Sequence, residues 1–519
     1  MPPSPRRWWV LAAVCLSVLL VLTDVTIVNV ALPTLSTELG ASTSDLQWVV
    51  DAYTLVFSGL LLVGGHLGDR IGRRRVLQAG LVAFAFTSLA AALAQSTGQL
   101  VAARAAMGIG AALIYPATLA IITATFADAK ERALAIGAWA ATSGVAVAIG
   151  PVAGGALLER FSWGSVFLVN LPLAVLALGA NRLVLTESRD PAAGRFDGVG
   201  ALASVAAVGM LVWTLIEAPG QGWTSVPTLG GAAASLVLLA AFVAWEARSA
   251  HPLLDVRLFA NPRFSAASAA IALAFFGLFG FIFMITQYFQ AIRGYDAMSA
   301  GLHTLPFAVV MAVFSPVAIL VTARAGTTLV VAGGLVLMAA GFGVAATCTL
   351  ESAYWGRILV SMVLIAAGLA FAAGPATEAV MGSLPPAKAG TGAAVNDTTR
   401  EVGGTLGVAI VGSVMASLYA PRVAAALGSL GFPAEAQDAA ADSVIAGLGV
   451  ASGAPEGLGA TAVTAVRQAF MDGLVGGSLV AAFACLLAAM GVLGFLPARQ
   501  RAEPAPRPVR AVAGELVRA

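Results

Sequence analysis

"GGHLGDRIGRRRVLQAG", residues 64–80, crowds Arg70 and Arg73–Arg75 around a lone acid, Asp69, between two apolar runs. Such a cluster cannot cross hydrocarbon, so the segment is a turn held in water between two membrane spans. A topology-setting loop needs only charge. Here glycines frame the acid, which asks for a shaped turn in which Asp69 accepts hydrogen bonds from Arg73 or from a helix N-terminus. Reading this stretch as a built turn decides the fold class.

The rest of the chain agrees. Of 519 residues, 59% are hydrophobic and 10% charged, and the mean hydropathy is +0.91. Soluble domains carry about 25% charged residues. The class is therefore an all-α integral membrane protein. Windows of ~20 apolar residues give about fourteen transmembrane helices, and an even number leaves both termini on one side. About 22 of the 28 basic residues fall on the side of the 64–80 loop. By the positive-inside rule both termini are cytoplasmic. Arg6 and Arg7 precede an apolar run like a signal peptide, but the run is too long and has no small-residue cleavage site, so it reads as a retained first span. Scarce lysine with abundant arginine, alanine and glycine fits a GC-rich bacterial genome and a plasma-membrane location.

Several classes fall away. Cys15, Cys348 and Cys485 lie scattered in apolar runs, with no disulfide or metal spacing. Neither Lys130 nor Lys388 sits in a phosphate-binding G-x4-G-K-[ST] setting, and no soluble segment could house a nucleotide domain. No Ser/His/Asp set appears. The sequence reads as no enzyme, with no cofactor and no nucleic-acid partner. The partner that composition implies is the lipid bilayer.

Intramembrane charge points the same way. Asp24 lies in "VLTDVTIVNVALP", residues 21–33, and a charge at that depth costs at least ~2.5–3.5 kcal/mol. At 1.5 Å per residue Asp24 lies roughly 22 Å from the inner face, and Arg104 of the fourth span roughly 7 Å from the outer face. In a core ~30 Å thick these depths coincide, and Asp51 of the second span reaches nearly the same level. A structural ion pair explains Asp24 and Arg104 but not Asp51. A proton site explains all three.

The 64–80 loop resembles the major facilitator superfamily signature G-x-L-x-D-R-x-G-R-[RK], which Gly65, Leu67, Asp69, Arg70, Gly72, Arg73 and Arg74 match. The resemblance implies a cytoplasmic gate built on Asp69 and Arg73, with Asp128 as a candidate third partner, that holds the two halves together when the protein faces outward. "GAWAATSGVAVAIGPVAGGALL", residues 137–158, is similar to the family's antiporter signature. Gly137, Gly150, Pro151, Gly154 and Gly155 match it, and Ala146 replaces a glycine. The signature marks exporters; ordinary helix packing at small residues is the competing reading. Arg104, Gly108 and Gly110 match R-x3-G-x-G. "TDVTIVNVALP" is similar to the signature of the fourteen-helix drug:proton antiporter branch, whose relatives export quaternary ammonium compounds and other lipophilic cations.

That resemblance implies two six-helix bundles, residues 1–190 and 263–498, with two extra spans at 191–262. It leaves an outer loop at 420–470, read as a loose amphipathic hairpin, and a disordered tail at 499–519. It also brings in Glu378, Asp397 and Glu401 as substrate-recognition candidates. Asp397 equally suits a solvated helix start near a positive dipole end. The expected activity is proton-coupled efflux of lipophilic, cationic toxic compounds. The alternative is export of one neutral or anionic metabolite, such as an endogenous antibiotic.

Overall fold

The computed structural model describes residues 6–126, 128–189, 197–250, 252, 254–384, 389–454 and 457–496. Among these residues there is no strand. In hydrocarbon no water satisfies backbone N–H and C=O groups, so spanning segments close their hydrogen bonds internally as helices.

The first half comprises α1 (Arg6–Glu38), α2 (Thr43–Ile71), α3 (Arg73–Ala92), α4 (Thr97–Thr125), α5 (Ala129–Leu158), the short α6 (Ser165–Leu168) and α7 (Asn170–Val184). Two further helices follow, α8 (Gly198–Gln221) and α9 (Val226–Arg248). The second half comprises α10 (Pro262–Gln287), α11 (Ala297–Ala325), α12 (Thr327–Ala345), α13 (Leu359–Gly382), α14 (Ala389–Ser429), α15 (Ala434–Asp442), α16 (Val444–Ser452) and α17 (Gly459–Phe495). Thirteen helices among the described residues are long and apolar enough to cross a membrane. The remaining expected span falls on α5, in which only Ile149–Leu158 counts as a short apolar helix among the described residues.

Local chemistry sets the helix ends. Ser42 and Asp45 form a capping box at the start of α2, with Asp45 N–H on Ser42 Oγ at 3.2 Å and Ser42 N–H on Asp45 Oδ2 at 3.0 Å, satisfying two orphan donors reciprocally. The chain passes from α2 to α3 through one residue, Gly72, at φ +124°, a conformation that side chains with a Cβ avoid.

Two apolar cores form. One draws on α1–α7, with Phe283 and Val408 reaching in from the second half; the other draws on α10–α17. A small third cluster of Leu55, Val212, Ile216 and Ala409 lies where α8 rests against both α2 and α14. α9 packs on α8 and leaves Leu229, Leu236, Val237 and Val243 exposed, the face a lipid-bathed helix shows.

The halves meet at α2 with α14 and at α5 with α11. Gln47 Nε2 donates to the carbonyls of Val408 (3.2 Å) and Ala409 (3.0 Å), Thr405 Oγ1 donates to Thr54 Oγ1 (3.0 Å), and Gln290 Nε2 donates to Val30 O (2.9 Å). Each of these bonds lies away from the arginine-rich loop. The molecule is closed at the end opposite that loop.

The 420–470 region is not a loose hairpin. α14 runs on for 41 residues and α17 for 37, and α15 and α16 fold between them. Val423, Leu427, Val444, Ala451 and Val466 are buried there, and Arg422 pairs with Asp472 at 3.1 Å. This cap also touches the first half: Ser36 Oγ and Ser443 Oγ are 2.9 Å apart, and Thr43 Oγ1 donates to Asp442 O at 2.9 Å. Its alanines and glycines gave a weak hydropathy signal because small side chains stabilise helix contacts by close approach, not by bulk.

Candidate functional site

α1 and α4 bring Asp24 and Arg104 together in the first half. Arg104 Nη1 bonds Asp24 Oδ2, and both side chains are fully buried. Arg104 Nε donates to Val49 O at 2.9 Å, and its Cζ lies 4.3 Å from the centre of the Tyr53 ring, where the ring's negative face attracts the cation. On the other side, Asn170 Nδ2 donates to Asp24 Oδ1 at 2.8 Å and to Ser88 Oγ at 3.0 Å, and Ser88 Oγ donates to Phe167 O at 2.8 Å. Sequence reading missed Asn170 and Ser88. The signal available was a polar Asn inside the apolar "VFLVNLPLAV", residues 166–175.

Asp51 behaves differently. It is fully buried, and neither carboxyl oxygen has a hydrogen-bond partner among the described residues. It shares the α2 face of Gln47 and Thr54, the residues that bond α14, so it sits in the seam between the halves. The depth reading puts Asp51 level with Arg104, but Arg104 spends its donors on Asp24 and Val49 O.

In the arginine-rich loop, Asp69 Oδ1 accepts from Arg73 Nε (2.9 Å) and Nη2 (2.7 Å), and Arg73 Nη1 donates to Ala120 O on α4 at 3.2 Å. Arg70 is exposed, and Gly65 faces Pro116. Asp128 stands at the start of α5, where its Oδ1 accepts from Glu131 N–H at 3.0 Å.

The glycine-rich segment of α5 makes two different contacts. Gly150 and Gly154 receive Thr26 and Ile27 of α1, while Gly155 lies on the Ala297–Met298 backbone of α11. Opposite it, Gly301 lies on the Pro151 carbonyl. Gly137 has nothing within 4 Å of where a Cβ would stand. The signature thus serves an α1–α5 contact and the α5–α11 seam at once.

Glu378 is exposed at the loop end of α13, in electrostatic reach of Arg263. Asp397 is part-buried beside Asn396 Nδ2 (3.3 Å) and Arg400 (3.9 Å). Glu401 has one buried oxygen, Oε2, without a hydrogen-bond partner. It lies one turn from Thr405, on the loop side of Asp51. Tyr53, Phe57 and Tyr115 pack edge and tilted in the first core with Trp139.

Between the halves, Thr26, Asn29, Pro151, Phe281, Thr286 and Phe307 help line a cavity of about 40 Å³. Pockets for drug-sized molecules run to ~300–1,000 Å³, so this part of the central space is closed to such cargo. Among the described residues no charged side chain lines it.

These features have relatives. The Major Facilitator Superfamily profile matches residues 14–408. The multidrug efflux pump LfrA of Mycolicibacterium smegmatis is 36% identical over 492 residues, covering 95% of this chain and 96% of that protein. The tetracenomycin C resistance and export protein of Streptomyces glaucescens is 34% identical over 413 residues, covering 79% and 76%. Among solved structures, a bacterial homolog of the human lysosomal transporter Spinster superposes with a TM-score of 0.67 at 18% identity, covering 95% of this chain and 98% of that one. This multi-pass membrane protein belongs to the Major Facilitator Superfamily, in its drug-efflux branch.

Proposed function

We propose that the protein is a proton-coupled antiporter of a bacterial plasma membrane, with fourteen spans and both termini cytoplasmic, that expels lipophilic cations. One observation carries the reading: besides the buried, partnered Asp24–Arg104 pair of the first half, Asp51 is buried on the α2 face turned to the second half, and its two oxygens have no partner among the described residues. An anion at Asp51 in the closed seam would be uncompensated, and removing one partner of a buried pair typically costs 3–5 kcal/mol. A proton removes that charge. Opening the outer seam returns the carboxyl to water, where it takes up a proton from the outside; in the state open to the cytoplasm an arriving cargo cation supplies the compensation instead, and the proton leaves inward. Seam closure and proton binding are thereby linked, and the rocking of two bundles about a central site converts the link into export.

Asp24 and Glu401 give a positively charged cargo its counter-charges. The Asp24–Arg104 bond is the element a cation would compete with, because a cargo amine near Asp24 replaces the guanidinium. A second reading has its own support. The small cavity between the halves has no charged lining residue among the described residues, which suits one neutral compound, and a relative is named for export of the antibiotic tetracenomycin C.

The test is accumulation of a fluorescent lipophilic cation in cells overproducing the protein, with and without a protonophore. Overproduction should lower accumulation, and the protonophore should restore it. Efflux indifferent to the protonophore would sink proton coupling. Resistance to a single neutral antibiotic, with none to cations, would favour the second reading.

A further inference from the structure

We infer that Glu187 is a positioning residue for the gate: from the segment after α7 it caps the start of α3 and fixes the turn that carries Asp69 and Arg73. The inference rests on the reading of residues 64–80 as a gate. A helix start leaves four backbone N–H groups without intrahelical partners. The usual remedy is an oxygen-bearing side chain at the N-cap. The N-cap of α3 is Gly72, which has no side chain and makes no capping bond of that kind.

The missing acceptors come from a distant part of the chain. Glu187 Oε1 accepts the Arg74 N–H at 3.1 Å, and the Ser188 carbonyl accepts the Arg73 N–H at 2.9 Å. The same Oε1 accepts Ser188 N–H at 3.1 Å, which folds the segment onto itself. Arg74 Nη2 reaches back to Arg182 O at 3.2 Å. The carboxylate also occupies the place a side chain at Gly72 would need, since a Cβ there would stand 2.5 Å from Glu187 Oε1. Glycine and glutamate fit as a pair.

A bland role for Glu187 is charge balance among the loop arginines. Its contact with Arg75 is of that kind, at 3.7 Å to a largely exposed guanidinium, and exposed pairs contribute little. Charge balance alone would not place a carboxylate oxygen on a backbone amide. With the first turn of α3 held, Arg73 is aimed at Asp69 and Ala120 O. Without the cap, the turn gains freedom that closing the gate must remove again, so the cytoplasmically closed state suffers more than the open one.

The test uses spin labels at Ala124 and Ala325, exposed near the loop ends of α4 and α11, in a full-length cysteine-free background in nanodiscs. Glu187→Ala should cut the cytoplasmically closed population about fivefold, in the range of one lost N-cap. Glu187→Gln keeps an acceptor oxygen and should stay within twofold of the parent, as should Arg75→Ala. Amide exchange over residues 73–75 should speed up in Glu187→Ala and not in Glu187→Gln. A Glu187→Ala protein that distributes like the parent, or a Glu187→Gln protein as impaired as Glu187→Ala, overturns the cap. Arg73→Ala separates the two readings: no shift there refutes the gate itself, while a shift there with none in Glu187→Ala refutes only the capping role of Glu187.

Discussion

Gly155→Ala should drive the protein toward its outward-open state. In the structure, the added Cβ would stand 2.5 Å from Met298 Cα and 2.6 Å from Ala297 O, against 3.4–4 Å for ordinary contact. Those atoms are backbone, so no side chain can swing aside, and α5 and α11 must part by about 1 Å. Overpacking of this kind costs typically 1–3 kcal/mol. The strain exists only while the outer seam is closed. It therefore converts into a population shift of roughly fivefold to a hundredfold, at 1.4 kcal/mol per decade. Spin labels at Glu159 and Glu351, both exposed at the outer end, would report the change as a longer distance, with transport slowed. Gly137→Ala, with nothing within 4 Å, is the control and should change neither. An unaltered distance distribution in Gly155→Ala would refute the claim that this seam holds the closed state.

Other outcomes follow from the same geometry. Asp24→Asn leaves the Arg104 guanidinium without its counter-ion, which should cost about 3–5 kcal/mol and abolish pH-gradient-driven efflux in proteoliposomes. Adding Arg104→Met should recover the lost thermal stability but not the transport; recovered transport would make the pair merely structural. At the outer cap, partial burial, then Asp45 and Asp438, push the Asp442 carboxyl above its ordinary value. A carboxyl raised on docking favours docking when protonated. Cap contacts should therefore tighten in acid and loosen as pH rises from about 4 through the raised value. Amide exchange across residues 440–446, corrected for its intrinsic pH dependence, should be slower near pH 4 than at pH 7.5. Asp442→Asn should erase the difference.

How much was legible depended on the physics behind each feature. The membrane spans were readable because a bilayer allows few solutions, and the common depth of Asp24 and Arg104 followed from rise per residue alone. The direction of Asp51 did not. Depth fixes a level along a helix, while the side a residue faces depends on its neighbours; only the bonds of Gln47 and Thr54 to α14 reveal it. Asn170 and Ser88 escaped because single polar residues in apolar runs usually bond their own helix. The cap escaped because alanine and glycine signal neither burial nor exposure. Glu187 was invisible for a topological reason: its partners lie 113 residues earlier in the chain.

The most direct test of the central claim is proton movement driven by cargo. Proteoliposomes containing the full-length protein and a trapped pH-sensitive dye are loaded with a lipophilic cation and diluted into cation-free buffer. The parent protein should drive a proton flux opposite to the cargo, and Asp51→Asn should show cargo movement without proton flux, or neither. Cargo leaving parent vesicles with no change in internal pH would contradict the claim, as would an Asp51→Asn protein that still exchanges protons for cargo at the parental rate.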